Sequence, residues 1–89
     1  MENTENLNAT YYYQKTTELL PAFLSELGQE VLRARSAKKL TQAQISELTG
    51  GLIKPDQLER IEIGVSQVRY QTLLTLSLIL GKKLKITFE

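Results

Sequence analysis

The sequence predicts a compact all-α domain of four to five short helices, closed by a single C-terminal β-strand. Three observations predict it. Apolar residues recur three and four apart from Phe23 to Leu80, the spacing that places side chains on one face of a helix. Thr41 is followed three positions later by Gln44, the pattern of a capping box that opens a helix. Beyond Leu80 the period changes to two, with Leu84, Ile86 and Phe88 alternating with Lys83, Lys85, Thr87 and Glu89, which is the signature of a half-buried strand.

Residues 1–16 carry no helical period and are rich in Asn, Thr and Glu, so they read as a flexible N-terminal arm. Within the arm stand Tyr11, Tyr12 and Tyr13. Three adjacent rings cannot share one face of any regular structure. Either one packs and two stay exposed, or the cluster docks on a partner, a use that suits tyrosine's large contact area. The first helix starts at Thr17 or at Pro21, because proline is tolerated in a first turn and disruptive later. It runs through Phe23, Leu24, Leu27, Val31 and Ala34, and gathers Arg33, Arg35, Lys38 and Lys39 at its end, where cations suit the helix dipole.

The second helix spans about Gln42 to Leu48 and turns Ala43, Ile45 and Leu48 inward, and Gly50-Gly51 closes it. The third runs from Pro55 to about Ile63 with Leu58 and Ile61 buried, and stops near Gly64. Two short helices joined by a turn form a helix-turn-helix unit, whose usual task is to lay its second helix in the major groove of DNA. The fourth helix, from about Arg69 to Leu80, holds Leu73, Leu74, Leu76, Leu78, Ile79 and Leu80. That is more than one apolar stripe requires, so two sides should be buried. The final strand has no second strand in this chain to pair with, and a lone strand leaves its backbone groups without partners. A twofold dimer answers both needs, with residues 82–89 pairing antiparallel across the axis and Leu84, Ile86 and Phe88 as dimerisation residues.

Eighty-nine residues with 42% hydrophobic and 24% charged side chains describe one globular domain. The expected division is an arm over 1–16, a helix-turn-helix domain over 17–81 and a dimerisation strand over 82–89. The absence of cysteine removes disulfides and fits a reducing compartment. No apolar run nears the ~20 residues of a membrane helix, and the acidic, polar start is unlike a signal peptide. The expectation is a cytoplasmic protein without a membrane role.

Net charge is only +1, but it is unevenly placed. Residues 1–26 hold Glu2, Glu5, Glu18 and Glu26 against Lys15, a net of −3. Residues 27–54 hold Arg33, Arg35, Lys38, Lys39 and Lys54 against Glu30 and Glu47, a net of +3. Lys82, Lys83 and Lys85 follow in the tail. A basic body behind an acidic arm suits contact with phosphates. Catalysis has little to work with. Without His or Cys the usual general base, thiolate nucleophile and most transition-metal sites are missing. Glu59 and Glu62 lie three apart with Arg60 between them, a surface charge pattern rather than a carboxylate pair. Gly50-Gly51 lacks the Lys-Ser/Thr of a phosphate loop. Neither an enzyme, a cofactor nor a metal site is expected.

Four segments carry a family resemblance: Leu27-Gly28-Gln29-Glu30-Val31-Leu32-Arg33-Ala34-Arg35, Leu40-Thr41-Gln42, Arg60-Ile61-Glu62-Ile63-Gly64, and Leu73-Leu74 through Leu80-Gly81. In this order they resemble the XRE (Cro/CI-type) helix-turn-helix proteins over more than half the chain. The tail Lys82-Lys83-Leu84-Lys85-Ile86-Thr87-Phe88-Glu89 is similar to that of the HipB- and HigA-type antitoxins. The resemblance implies a lambda-repressor-like fold and double-stranded DNA as a ligand. Gln42 would contact a phosphate at the start of the second helix. Lys54, Asp56, Gln57 and Arg60 would occupy exposed positions of the recognition helix, with Gln57 suited to an adenine edge and Lys54 to guanine or phosphate. Lys39 joins Arg33, Arg35 and Lys38 as a further phosphate candidate.

The chain also departs from the family pattern. The link from Thr49 to Arg60 is about two residues longer than usual, Pro55 replaces a polar residue, and Asp56, Glu59 and Glu62 bring negative charge near the expected phosphates. Glu62 matches a position that packs inward. The function implied is a dimeric repressor of an inverted-repeat operator, the antitoxin of a type II toxin–antitoxin pair with a cognate toxin as a further partner. Two alternatives stand beside it: a protein-interaction module with weak DNA affinity, favoured by the acidic recognition helix, and a prophage-type regulator with no toxin.

Overall fold

The computed structural model describes residues 9–85 and shows four helices in that range: α1 Ala9–Ala37, α2 Gln42–Leu48, α3 Pro55–Glu62 and α4 Tyr70–Leu80. The core is built from Val31 and Ala34 of α1, Ile45 of α2, Leu58 and Ile61 of α3, Leu76 and Leu80 of α4, and Ile53 from the α2–α3 loop. Leu40, Val68 and Ile79 pack around this set. α3 is the central element, lying against both α1 and α2, while α4 closes the far side of α1.

The capping chemistry at Thr41 is present in full. Thr41 Oγ1 accepts from the Gln44 N–H at 3.0 Å, and Gln44 Oε1 accepts from the Thr41 N–H at 2.7 Å. Each of the four helices is closed by a left-handed residue, Lys39, Gly50, Gly64 and Gly81, and Gly51 after α2 also has a positive φ. At each of the four closures the following residue donates its N–H back to a carbonyl five positions earlier, as in Leu40 to Arg35 and Gly51 to Ser46. This closure satisfies carbonyls that the helix itself leaves without donors. At Gly64 the glycine is required twice, by its φ of 81° and because a Cβ there would stand 2.8 Å from Ser25 Cα.

Gly28 explains how α1 and α3 come so close. It is buried in the middle of α1, and a Cβ on it would collide with the carbonyl oxygens of Ile61 and Glu62. The helices therefore touch backbone to backbone, and any side chain at this position would force them apart.

Two expectations are corrected. The first helix begins neither at Thr17 nor at Pro21 but at Ala9, and Pro21 lies inside it. Residues 9–16, including Tyr11, Tyr12 and Tyr13, are therefore helical rather than a flexible arm. The side chains follow the helical register: Thr16 and Thr17 donate their hydroxyls to the carbonyls of Tyr12 and Tyr13 one turn back, and Lys15 lies 3.8 Å from Glu18 one turn on. Pro21 has no N–H to offer the Thr17 carbonyl, but both residues are exposed, so water can take its place. Second, only Ile45 of α2 is buried. Ala43 is exposed and Leu48 is 63% exposed, because a seven-residue helix presents barely two turns to the core. After α4, residues 82–85 are in neither helix nor strand in the single chain, and Leu84 is half-buried. Ile86 and Phe88 lie outside the described residues, as do residues 1–8 of the expected arm.

Candidate nucleic-acid interface

α3 is buried on one side only. Leu58, Ile61 and Glu62 face the core, whereas Asp56, Glu59 and Arg60 are exposed on the opposite side and Gln57 is half-buried. Lys54 precedes Pro55, which fits the first helical position because its missing N–H would have had no helical partner. Lysine offers no acceptor for a cap. Half a capping box remains: Gln57 Oε1 accepts from the Lys54 N–H at a long 3.5 Å. Gln57, expected to meet an adenine edge, thus leans back on its own helix start, and its amide nitrogen makes no hydrogen bond among the described residues.

Behind α3 lies a polar cluster. Glu62 is the one buried charged side chain among the described residues. It accepts from Arg35 Nε at 2.6 Å and from Arg35 Nη2 at 2.9 Å, a two-point geometry that suits guanidinium and carboxylate. Arg35 Nη1 donates to the Leu40 carbonyl at 2.9 Å, and Gln42 Nε2 donates to Glu62 Oε1 at 3.1 Å. One ion pair therefore ties the end of α1, the Leu40 turn, the start of α2 and the end of α3. The hydrogen bond to Glu62, reinforced by its charge, outweighs the cost of burial and raises the Arg35 pKa above its ordinary value.

The cluster revises the list of phosphate candidates. Arg35 is committed to the interior, with only 16% of its side chain exposed. Gln42 spends its amide on Glu62 rather than pointing outward. Glu62 brings no negative charge to the surface, since Arg35 neutralises it. Arg33 pairs with Glu30 at 2.8 Å on the surface, a contact that competing anions can break. Lys38, Lys39, Lys54 and Arg60 are exposed. Lys82, Lys83 and Lys85 rim a groove between α1 and α4, away from α3.

The loop between α2 and α3 has its own logic. Thr49 Oγ1 donates to the Ser46 carbonyl at 2.8 Å and accepts from the Ile53 N–H at 3.1 Å. This anchors Ile53 in the core while Leu52 is 84% exposed. Sequence reading saw the loop's extra length but missed Ile53 as its anchor, and missed Gly28 as the contact point of α1 and α3. Two adjacent apolar residues in a loop, Leu52 and Ile53, offer no period to tell which one is buried.

Tyr11, Tyr12 and Tyr13 are 46%, 49% and 75% exposed, and the rings of Tyr11 and Tyr12 meet edge to face at 5.2 Å. No group of metal-binding side chains occurs among the described residues, and no helix there is long and apolar enough to cross a membrane. Comparison with protein-family models, with curated proteins and with solved structures gives no match.

Proposed function

We propose that this chain is a dimeric, sequence-specific DNA-binding repressor in which α2 and α3 form the helix-turn-helix unit and α3 enters the major groove. One observation carries the reading. α3 is held from behind by the Arg35–Glu62–Gln42 cluster and by Leu58 and Ile61, so its other face is both rigid and open. A helix that reads bases needs that combination, because contacts to base edges must be held in register by the scaffold. Lys54, Gln57 and Arg60 supply donors for bases or phosphates, with Lys38 and Lys39 as further phosphate contacts.

The dimer follows from α4 and the tail. Leu74 and Leu78 are 47% and 83% exposed on the side of α4 away from Leu76 and Leu80, and strand pairing of residues 82–89 across a twofold axis would extend that contact. The tail's similarity to HipB- and HigA-type antitoxins supports the narrower role of an autoregulating antitoxin that also binds a toxin. Exposed Asp56 and Glu59 favour a second reading, a protein-interaction module with weak affinity for DNA, since carboxylates near phosphates are unfavourable within the ~8 Å screening length of physiological salt.

The experiment is selection of bound duplexes from a random pool, followed by titration of the selected site at several salt concentrations. With about four phosphates met per subunit, the dimer's log–log slope should be near −7, from roughly −0.9 per phosphate. Enrichment of an inverted repeat is expected. No enrichment, with a slope near zero, would replace the repressor reading by the interaction module.

A further inference from the structure

The outward face of α3 carries opposite charges that the fold itself does not use. Leu58, Ile61 and Glu62 are its buried residues. At about 100° per residue, the direction opposite these three falls within roughly 30° of Asp56 and Arg60. Glu59 lies about 70° to one side of it and Gln57 about 90° to the other. Asp56 and Arg60 are both exposed and stand one turn apart, the spacing at which a helix pairs opposite charges. Yet neither side chain makes an ion pair or a hydrogen bond among the described residues. The centre of the face therefore presents one group that only accepts and one that only donates.

We propose that Asp56 and Arg60 determine specificity by selecting G·C pairs: Asp56 accepts from the N4 amino group of a cytosine, and Arg60 donates to O6 and N7 of a guanine. The assignment rests on α3 entering the major groove. Base edges there offer a carboxylate few donors. Guanine and thymine present only acceptors and a methyl group, and adenine sets its N7 acceptor beside its N6 donor. Repulsion between N7 and the carboxylate leaves cytosine as the match. Arginine, with donors only, takes guanine by the converse logic. Four residues span about 6 Å of helix axis, close to two base-pair steps of roughly 3.4 Å, so the two contacts fall within two steps of each other. Position also answers the repulsion that a carboxylate meets near phosphates. The groove is about 12 Å wide, with phosphates along its walls, whereas the centre of the helix face meets its floor. Asp56 is thus held farther from the phosphates than Glu59 at the side.

Bound duplexes are selected from a random pool with the full chain and with its Asp56→Asn and Arg60→Ala variants. The full chain should enrich half-sites that hold a cytosine and a guanine within two base-pair steps. Asp56→Asn should replace that cytosine by adenine, whose N6 and N7 suit an amide, and its ratio of original-site to random affinity should fall about tenfold. Random duplex should bind this variant at least as well as before, since a negative charge is gone. Arg60→Ala should relax the guanine alone. A duplex carrying N4-methylcytosine at the read position has lost its free amino hydrogen. It should bind the full chain about tenfold more weakly, and Asp56→Asn equally with or without the methyl group. Asp56 also lies in the first turn of α3, where a carboxylate suits the helix dipole. That role would move the melting temperature but leave base preference where it was. A selected site unchanged by Asp56→Asn, or selected and random affinities that rise together, overturns the assignment while DNA binding by α3 stands. No enriched site from the full chain overturns both.

Discussion

Glu62 decides more at the residue scale than any other side chain. It is a carboxylate with 4% of its side chain exposed, and removing either partner of a buried pair leaves the other charged and without compensation. Glu62→Ala should therefore cost about 3–5 kcal/mol, read as a lower midpoint in urea. Arg35→Met combined with Glu62→Leu should recover most of that loss, because a packed apolar pair need not be desolvated. The raised Arg35 pKa adds stability at every pH below the unfolded value and loses it only as pH rises through the folded one. Arg35 thus contributes no pH dependence near neutrality. Gln57 and Gln42 separate two other roles. Gln57→Ala should relax preference at one base pair by about 1–3 kcal/mol if its freed amide makes a two-point contact. Gln42→Ala should lower the melting temperature, because it strips a donor from Glu62, and through that loosened support of α3 should lower affinity for all sequences alike. Binding to the selected site and to random duplex at one salt concentration checks both. An unchanged ratio for Gln57→Ala would mean that the longer loop has turned α3 away from base-reading geometry.

At the scale of elements, the crossing of α1 and α3 sets where the proposed recognition helix sits. Gly28→Ala would place a methyl carbon against the Ile61 and Glu62 carbonyls, and neither backbone can yield without shifting a helix. At least about 2 kcal/mol should be lost, a fall in melting temperature of roughly 10 °C for a domain of this size. Because α3 would be displaced, cognate DNA affinity should fall further than stability alone accounts for. A variant that melts normally and binds normally would show that the crossing has slack. α2 is the contrasting case, since one capping box and one buried residue, Ile45, are enough to hold a seven-residue helix.

For the whole molecule, the chain is a small helical body with a long α1 reaching beyond it. Among the described residues its exposed apolar side chains include Leu19 and Phe23 on α1, Leu74 and Leu78 on α4, and Leu48, Leu52, Ile63 and Val65 around the α2–α3 unit. Deleting residues 82–89 should weaken dimerisation and DNA binding together, as sedimentation and gel-shift titration would reveal. DNA affinity that survives in a monomeric truncation would detach binding from dimerisation.

Local chemistry by itself determined much of the architecture. Thr41 and Gln44 opened α2, Pro55 opened α3, and glycines marked the ends of α2 and α3, because caps and left-handed closures depend on residues within one turn of each other. Leu58 and Ile61 were legible as core from spacing alone. What only the tertiary structure decided involves residues far apart in sequence. Arg35 and Gln42 read as outward-facing candidates until Glu62 drew both inward, and Gly28 read as an ordinary helix position until α3 crossed it. The start of α1 was missed for a related reason. A proline is a reliable stop only where nothing else supplies the lost hydrogen bond, and at Pro21 the exposed backbone lets water serve the Thr17 carbonyl.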